Sequence, residues 1–226
     1  MADASSFDTG PPLGLAAVAK KMFTNPVIVT IALIEFCSGF LRNAVMQWYI
    51  IFAKQVGIAE SFVPKNWGLL LCVAGITGGM LAGVISDYVF HSRRGPVAAF
   101  LYAGLMLGAV LVYFMLSSPL LGFVAVFMSL CFIGVHGMLS GTASMDFGGR
   151  KNAGVAVGII DGLVYLGTAM QSLLLGKVLP LGDAAKNPEN WRNWPLAMMP
   201  VAVIGFLLCL RLWHARPNSS KAVAAH

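Results

Sequence analysis

The first long apolar run of the sequence, residues 26–53, carries a charged guanidinium near its centre, at Arg42. Glu35 and Asn43 are further polar side chains of the same run. In hydrocarbon an arginine costs roughly 2.5 kcal/mol or more, so a residue of this kind generally marks a ligand site or an ion pathway. A guanidinium offers a planar fork of donors that matches the oxygens of a phosphate, and it stays ionised in a dry site. The chemistry predicted at Arg42 is therefore the binding of an anion.

Polar and small side chains recur along this run at helical spacing. They follow the i, i+3, i+4, i+7 rule, which predicts a helix face able to line a cavity. Glu35 lies two turns from Arg42, too far for an easy direct ion pair within one helix. The competing interpretation is that Arg42 and a carboxylate only tie helices together. The members of the face are Glu35, Ser38, Gly39, Arg42, Met46 and Tyr49.

Two more ionisable residues lie inside later apolar runs, His136 in the fourth and Asp161 in the fifth. Asp161 is compatible with three roles: selecting the substrate, holding a proton or counter-ion, or bonding to a neighbouring helix. An imidazole can titrate near neutral pH, but a hydrogen bond between helices is the favoured interpretation for His136. The residues alone leave these roles of Asp161 open.

The composition is that of a membrane protein. The chain has 226 residues, of which 58% are hydrophobic and 11% charged, and its mean hydropathy is +0.79. A soluble domain carries about 25% charged residues, so the outside of this protein must be apolar as well as the inside. The net charge of +6 belongs to membrane loops rather than to a nucleic-acid surface. The four cysteines lie in apolar runs without metal-type spacing, so neither a metal nor a cofactor is expected.

Six apolar segments are long enough to cross a hydrocarbon core of about 30 Å. The fold class predicted is an all-α membrane protein with six transmembrane helices. The third and fourth segments are separated by almost nothing, which predicts an antiparallel hairpin. The predicted organisation is a cytoplasmic lead-in or linker over residues 1–24, a helix bundle over 25–214 and a cytoplasmic tail over 215–226. The segments are 26–53, 67–90, 96–116, 120–144, 153–179 and 195–213.

The lysines and arginines outside the membrane are distributed unequally between the two sides. Nine fall on the side that holds the lead-in, the second and fourth connections and the tail, and five fall on the other. The positive-inside rule then predicts that both termini are cytoplasmic. The nine are Lys20, Lys21, Arg93, Arg94, Arg150, Lys151, Arg211, Arg216 and Lys221; the five are Lys54, Lys65, Lys177, Lys186 and Arg192.

Glycines recur every four residues in the second and fifth segments. Small residues at this spacing let two helices approach closely where water supplies no hydrophobic drive, so they predict tight helix packing. The two series are Gly75, Gly79 and Gly83, and Gly154, Gly158 and Gly162.

The second connection combines a helix-end acid with two arginines across a short turn. Asp87 stands four residues after Gly83, and Arg93 and Arg94 open the next segment. Ordinary positive-inside anchoring would account for the arginines alone. The helix-end acid and the glycine favour a specific motif over anchoring alone.

The fourth connection has a similar character. Asp146 is followed by two glycines, by the bases Arg150 and Lys151, and then by an Ala/Gly-rich helix that ends in Tyr-Leu-Gly at Gly167. In the first segment, Phe40 and Leu41 precede Arg42, and Trp48 follows it by six residues.

Together these four motifs, in this order, resemble the organophosphate:phosphate antiporters of the major facilitator superfamily, which include glycerol-3-phosphate and hexose-6-phosphate transporters and a related sensor. The resemblance runs from about residue 25 to residue 212 and is to the second, C-terminal half of the twelve-helix fold. It implies an exchange of organic phosphates or sugar phosphates for inorganic phosphate by alternating access, in a bacterial inner membrane. It implies no enzymatic activity and no catalytic residue.

The resemblance also implies residue roles. Arg42 is expected to meet the substrate phosphate near the membrane midplane, opposite an arginine of the other half. The residues expected to bind substrate are Arg42, Asp161, Gln47, Trp48 and Glu35. Those expected to form cytoplasmic gating contacts are Gly83, Asp87, Arg93, Arg94, Asp146, Arg150 and Lys151.

Three departures from the family pattern bear on this interpretation. The acid expected five residues after the arginine is replaced by Gln47, and the acid expected early in the eighth helix is replaced by Cys72. Both put glycerol-3-phosphate itself in doubt as the substrate. The third is length: six segments predict a separated half that needs a first-half partner, or a homodimer, to enclose a path.

Other functions fit the sequence to different degrees. A membrane sensor of phosphorylated sugars and a non-transporting remnant of a transporter are both compatible with it. An intramembrane serine protease is not, because the spacing from Gly137 to Ser140 has one residue too many for the nucleophile motif. The expected partners are a small anionic substrate, the lipid bilayer and the first half, without nucleic acid.

Overall fold

The computed structural model describes residues 15–143 and 153–215. The main helices are α1 (Leu15–Thr24), α2 (Pro26–Met46), α3 (Trp48–Gln55), α4 (Phe62–Lys65), α5 (Trp67–Val84), α6 (Arg94–Phe114), α7 (Leu121–His136), α8 (Ala153–Val178) and α9 (Asn193–Arg211). Short π-helical segments follow α5 and α7, at Ile85–Val89 and Gly137–Ala143. Two turns of 3-10 helix, Gly182–Lys186 and Pro188–Arg192, precede α9.

Six helices are long and apolar enough to cross a membrane, which confirms the predicted fold class. They are Pro26–Gln55, Trp67–Val89, Arg94–Phe114, Leu121–Ser140, Gly154–Val178 and Pro188–Arg211. The third and fourth are joined only by residues 115–120 and pack on each other, as the predicted hairpin requires. Within the predicted lead-in, α1 is helical from residue 15 onward and buries Met22.

The first span lies at the centre of the bundle. In α2 the apolar side chains Ile31, Ile34 and Leu41 are fully buried. The helix packs against α8, α9 and α7, while α6 packs against α9 and α7, and α5 packs against α7. In the most apolar stretch of the first span 67% is buried inside the protein. The corresponding share is only 17% in the second span and 22% in the fifth. The helices α5 and α8 therefore lie at the outside of the bundle.

The first span is broken at Gln47, between α2 and α3. Two indole N–H groups donate to carbonyl oxygens beside this break: Trp67 to Met46 at 3.0 Å and Trp194 to Ala44 at 2.8 Å. Since a buried carbonyl without a partner costs about 1–3 kcal/mol, these two indole donors stabilise the first span beside Gln47.

Replacing Trp194 with phenylalanine is expected to lower the free energy of unfolding by about 1–3 kcal/mol, because the buried carbonyl of Ala44 loses its indole donor. Thermal unfolding of the purified protein in detergent measures the change. The matched control is Trp213→Phe, since Trp213 packs on Phe100 and its indole has no hydrogen bond within the described residues. Equal effects of the two substitutions would contradict the role given to Trp194.

The prediction of tight packing by the two glycine series is wrong for most of their members. Gly75 is in ordinary contact with Ile133, but a Cβ at the other five would meet no atom of the described chain within 4 Å. The reason is that the α8 series lies on an exposed side of its helix, and the α5 series on a half-buried side that other helices of the described chain leave largely uncovered. The glycines at close helix contacts are others, among them Gly39 and Gly167 between α2 and α8, and Gly78 between α5 and α7. The five without such contacts are Gly79, Gly83, Gly154, Gly158 and Gly162.

Candidate functional site

A group of polar side chains lies near the middle of the first span, between α2, α7 and α8. In α2 they are Glu35, Ser38, Arg42 and Asn43. Helical periodicity places the first three on neighbouring turns of one side of α2. Because the bundle places α7 and α8 on either side of α2, the polar residues of all three helices come together.

Glu35 is hydrogen-bonded to His136 at the end of α7, with 2.9 Å between Oε2 and Nδ1. The Glu35 side chain is fully buried, whereas 28% of the His136 side chain is exposed. The predicted helix-to-helix hydrogen bond of His136 is confirmed. Oε1 of Glu35 and Oγ of Ser38 are buried without a hydrogen-bond partner among the described residues.

Asp161 of α8 accepts a short hydrogen bond from the hydroxyl of Ser140. Ser140 is buried and belongs to the π-helical segment that continues the fourth span. π-Helical turns widen the backbone spacing and occur frequently at functional sites. Of the three roles predicted for Asp161, the structure provides the bond to a neighbouring helix.

Arg42 is partly buried, and its guanidinium makes no hydrogen bond or ion pair with any residue of the described chain. As expected, Arg42 forms no direct ion pair with Glu35, which bonds to His136. Arg42 and Asp161 are nevertheless close enough for their charges to act on both Glu35 and His136. The cluster thus contains two acids, one arginine and one histidine.

Asn43, next to Arg42, bonds to α8 instead. Its amide donates a short hydrogen bond to Oε1 of Gln171 and a second one, 3.0 Å long, to the hydroxyl of Ser172. Gln171 is fully buried, and its Nε2 has no partner among the described residues. Sequence reasoning noticed Asn43 but missed Gln171; a buried amide in the apolar fifth run was the available signal.

The predicted cavity-lining face of α2 is wrong as a continuous face. Gly39 packs directly on the backbone of Val164 in α8. Tyr49 is buried and stacks on Trp67, with ring centroids 4.7 Å apart. Only Arg42 and Met46 of the face are partly exposed. The physical reason is that α2 is the central helix, so most of that face meets protein.

Gln47 and Trp48 stand at the break of the first span. Gln47 is exposed and Trp48 partly buried. Neither side chain has a hydrogen bond to another residue of the described chain, and their predicted substrate contacts stay predictions.

The helix-end acid and arginines of the second connection meet in space. Asp87 and Arg94 form an ion pair at 2.9 Å, and Asp87 also accepts a hydrogen bond from the hydroxyl of Ser92 at 3.0 Å. Arg94 donates to the buried hydroxyl of Ser86 at 2.9 Å. Arg93 instead donates to the carbonyl oxygen of Phe90 at 3.2 Å. Gly83 lies one turn before Asp87 and is partly buried.

The turn that allows this contact is tight. His91 and Ser92 have φ values of 51° and 61°, a left-handed conformation that is uncommon outside glycine. The three predicted gating residues of the fourth connection, Asp146, Arg150 and Lys151, lie outside the described residues.

Comparison with known proteins gives a consistent set of relatives. The chain is 28% identical over 203 residues to the glycerol-3-phosphate transporter of Bacillus subtilis, covering 86% of this chain and 43% of the relative. It is 25% identical over 211 residues to the membrane sensor protein UhpC of Escherichia coli, covering 90% and 46%. It is 24% identical over 197 residues to the glucose-6-phosphate exchanger SLC37A2 of Bos taurus, covering 83% and 38%.

The chain spans less than half the length of each of these relatives. No family model matches the chain, and no solved structure matches it either. The relatives are named as transporters, an exchanger or a sensor of the membrane. These matches agree with the resemblance to the organophosphate:phosphate antiporters, and six helices long and apolar enough to cross a membrane support an integral membrane protein.

Proposed function

We propose that this chain is the second, six-helix half of a transporter that exchanges organic phosphates for inorganic phosphate by alternating access. The bundle of residues 25–214 would lie in a bacterial inner membrane, with residues 1–24 and 215–226 on the cytoplasmic side. The observation that carries the proposal is Arg42, a guanidinium at the middle of the first span without a hydrogen-bond partner among the described residues.

An arginine at this depth needs an anion or polar groups to offset its desolvation. The two acids of the cluster are hydrogen-bonded to other residues, Glu35 to His136 and Asp161 to Ser140. The donors of Arg42 therefore stay available to a ligand. A phosphate is the ligand that suits them, since a guanidinium binds two of its oxygens at once.

A phosphate carries up to two negative charges near neutral pH, and Arg42 supplies one positive charge. The proposal therefore includes a complementary first half that brings a second cation to the opposite wall. The glycines that open onto the outer sides of α5 and α8 support this partner, because small residues allow another helix bundle to approach closely.

The charge cluster of Asp87 and Arg94 supports the alternating-access part of the proposal. It joins the end of the second span to the start of the third through a partly exposed ion pair. Ion pairs of this kind can form in one conformation and break in the other. We propose that it closes the cytoplasmic face, together with Arg93, Asp146, Arg150 and Lys151.

Replacing Asp87 with asparagine is expected to reduce the exchange rate several-fold and leave phosphate binding unchanged, because it weakens the closed state without touching Arg42. Exchange and binding of labelled phosphate are measured on the same preparation. Glu60→Gln is the matched control, since Glu60 forms an exposed ion pair with Lys65 at 3.5 Å. A parallel loss of binding in Asp87→Asn would contradict the gating role.

A membrane sensor is the second candidate, because one of the matched relatives is named as such. A sensor would bind the phosphate ester through the same arginine without moving it. Measuring both the binding and the exchange of phosphate separates the two functions. A remnant of a transporter would neither bind nor exchange phosphate.

The experiment uses proteoliposomes that contain this chain together with the first six helices of the Bacillus subtilis relative, co-expressed as a separate chain. The vesicles are loaded with glycerol-3-phosphate or glucose-6-phosphate, and entry of labelled inorganic phosphate is followed. Uptake that depends on the internal ester supports exchange. Binding without uptake favours the sensor, and the absence of both would overturn the proposal.

A further inference from the structure

The Glu35–His136 pair has a geometry that a simple tie between two helices does not require. Glu35 is fully buried and His136 is only partly buried, at 28% exposure of its side chain. The imidazole uses Nδ1 for the carboxylate, 2.9 Å away. The edge of the ring that carries Nε2 is therefore the edge that can face outward from the pair.

The buried end of the pair is incompletely satisfied. Oε1 of Glu35 and Oγ of Ser38, one turn along α2, have no hydrogen-bond partner among the described residues. Neutral hydrogen-bonded groups would join α2 and α7 at a lower desolvation cost than a carboxylate with one unsatisfied oxygen. The excess cost points to a use of the carboxylate beyond holding the helices together.

A carboxylate at hydrogen-bond distance fixes the tautomer of an imidazole and stabilises the imidazolium. In either form Nδ1 carries the hydrogen, and in the imidazolium Nε2 carries one as well. His136 then presents a charged N–H donor in the same cluster as Arg42.

No other charged or titratable group of the described chain accepts a hydrogen bond from Nε2 of His136. Asp161 is bonded to Ser140, and the hydroxyl of Tyr102 donates to the carbonyl oxygen of Ile34 at 2.7 Å. The other charged groups that act on the pair are Arg42 and Asp161.

We propose that His136 is an anion-binding residue of the Arg42 site, and that Glu35 is the positioning residue that keeps its imidazole oriented and protonated. The inference rests on the proposed function and adds to it a second cation supplied by this chain. The ligand class is a phosphate, free or as an ester. The affinity for the anion should fall as the pH rises and His136 loses its proton.

Two measurements on the full chain test the inference. The first is the KM for inorganic phosphate in the exchange assay, for the wild type and for His136→Gln. The substitution is expected to raise KM about tenfold near pH 6 and by less at higher pH, as the wild-type imidazole loses its proton. Because the titration of phosphate itself is common to both proteins, the ratio of their KM values isolates His136.

The second measurement is nitrogen NMR of the wild-type chain in lipid nanodiscs, with histidine labelled by the heavy nitrogen isotope. The chain has four histidines, so the spectrum is simple, and the signal missing from His136→Gln assigns His136. Inorganic phosphate is expected to shift the His136 resonances and leave those of His91 and His214 in place. Glu35→Gln should shift the His136 resonances even without phosphate, because the imidazole loses the carboxylate that orients it.

Unchanged His136 resonances at saturating phosphate, or an unchanged KM in His136→Gln, would overturn the inference. Failure of the proposed function gives a different result. If the wild type shows no exchange but phosphate shifts the His136 resonances, the inference stands as a binding site and the transport proposal falls. If exchange is normal and phosphate leaves the His136 resonances unchanged, the transport proposal stands and the inference is wrong.

Discussion

Replacing Arg42 with lysine is expected to reduce phosphate exchange by about tenfold to a hundredfold in the reconstituted two-half transporter. Lysine keeps the positive charge but loses the planar fork that binds two phosphate oxygens at once. Its ammonium is also more strongly hydrated, so desolvation in the span costs more. The loss should appear in both KM and the maximal rate, because one contact orients the substrate as well as holding it.

The matched control for this prediction is Arg192→Lys. Arg192 is exposed, pairs with Glu189 at 2.5 Å and stacks over the Tyr113 ring, away from the central cluster. Its replacement should leave exchange within about twofold of the wild type, because exposed ion pairs contribute little. Exchange at the wild-type rate in Arg42→Lys, with normal amounts of folded protein, would end the role given to Arg42.

The second large effect is expected from the glycines between α2 and α8. A Cβ at Gly39 would overlap the carbonyl oxygen of Val164 and lie 2.9 Å from its Cα; a Cβ at Gly167 would overlap the carbonyl oxygen of Phe36. Backbone atoms cannot rotate away as side chains do, so the helices must separate. Gly39→Ala or Gly167→Ala should therefore lower the free energy of unfolding by about 1–3 kcal/mol or more.

Gly162→Ala provides the control on the same helix, because a Cβ there meets no atom of the described chain within 4 Å. It should leave the thermal stability of the isolated chain unchanged. In the two-half transporter a larger side chain at this position, as in Gly162→Leu, should weaken assembly. Equal destabilisation of the isolated chain by Gly39→Ala and Gly162→Ala would contradict the described packing.

The number and limits of the spans could be predicted from hydropathy, since a bilayer demands apolar runs of a fixed length. Hydropathy and spacing could not predict which glycines lie at close contacts between helices. A repeat of small residues looks the same on an inner and an outer helix side, and only the packing shows that Gly39 is crowded and Gly158 is not. Burial of a helix side depends on its neighbours, which a single-helix pattern does not contain.

In the candidate site, too, some features could be predicted from the sequence and others could not. Arg42 was predictable because one charge in an apolar run is an energetic anomaly. The pairing of Glu35 with His136 joins residues separated by 101 positions, so spacing within one helix could not reveal it. The break at Gln47 was also not predicted; it appears with the indole donors Trp67 and Trp194, which come from other helices.

The most direct test of the account is chemical protection of Arg42. Phenylglyoxal, which reacts with accessible guanidinium groups, is applied to the reconstituted transporter with and without inorganic phosphate, and the peptide that contains Arg42 is quantified by mass spectrometry. Phosphate is expected to slow modification of Arg42 and to leave modification of Arg192 unaffected. Modification of Arg42 at the same rate with and without phosphate, in vesicles that exchange phosphate, would contradict it.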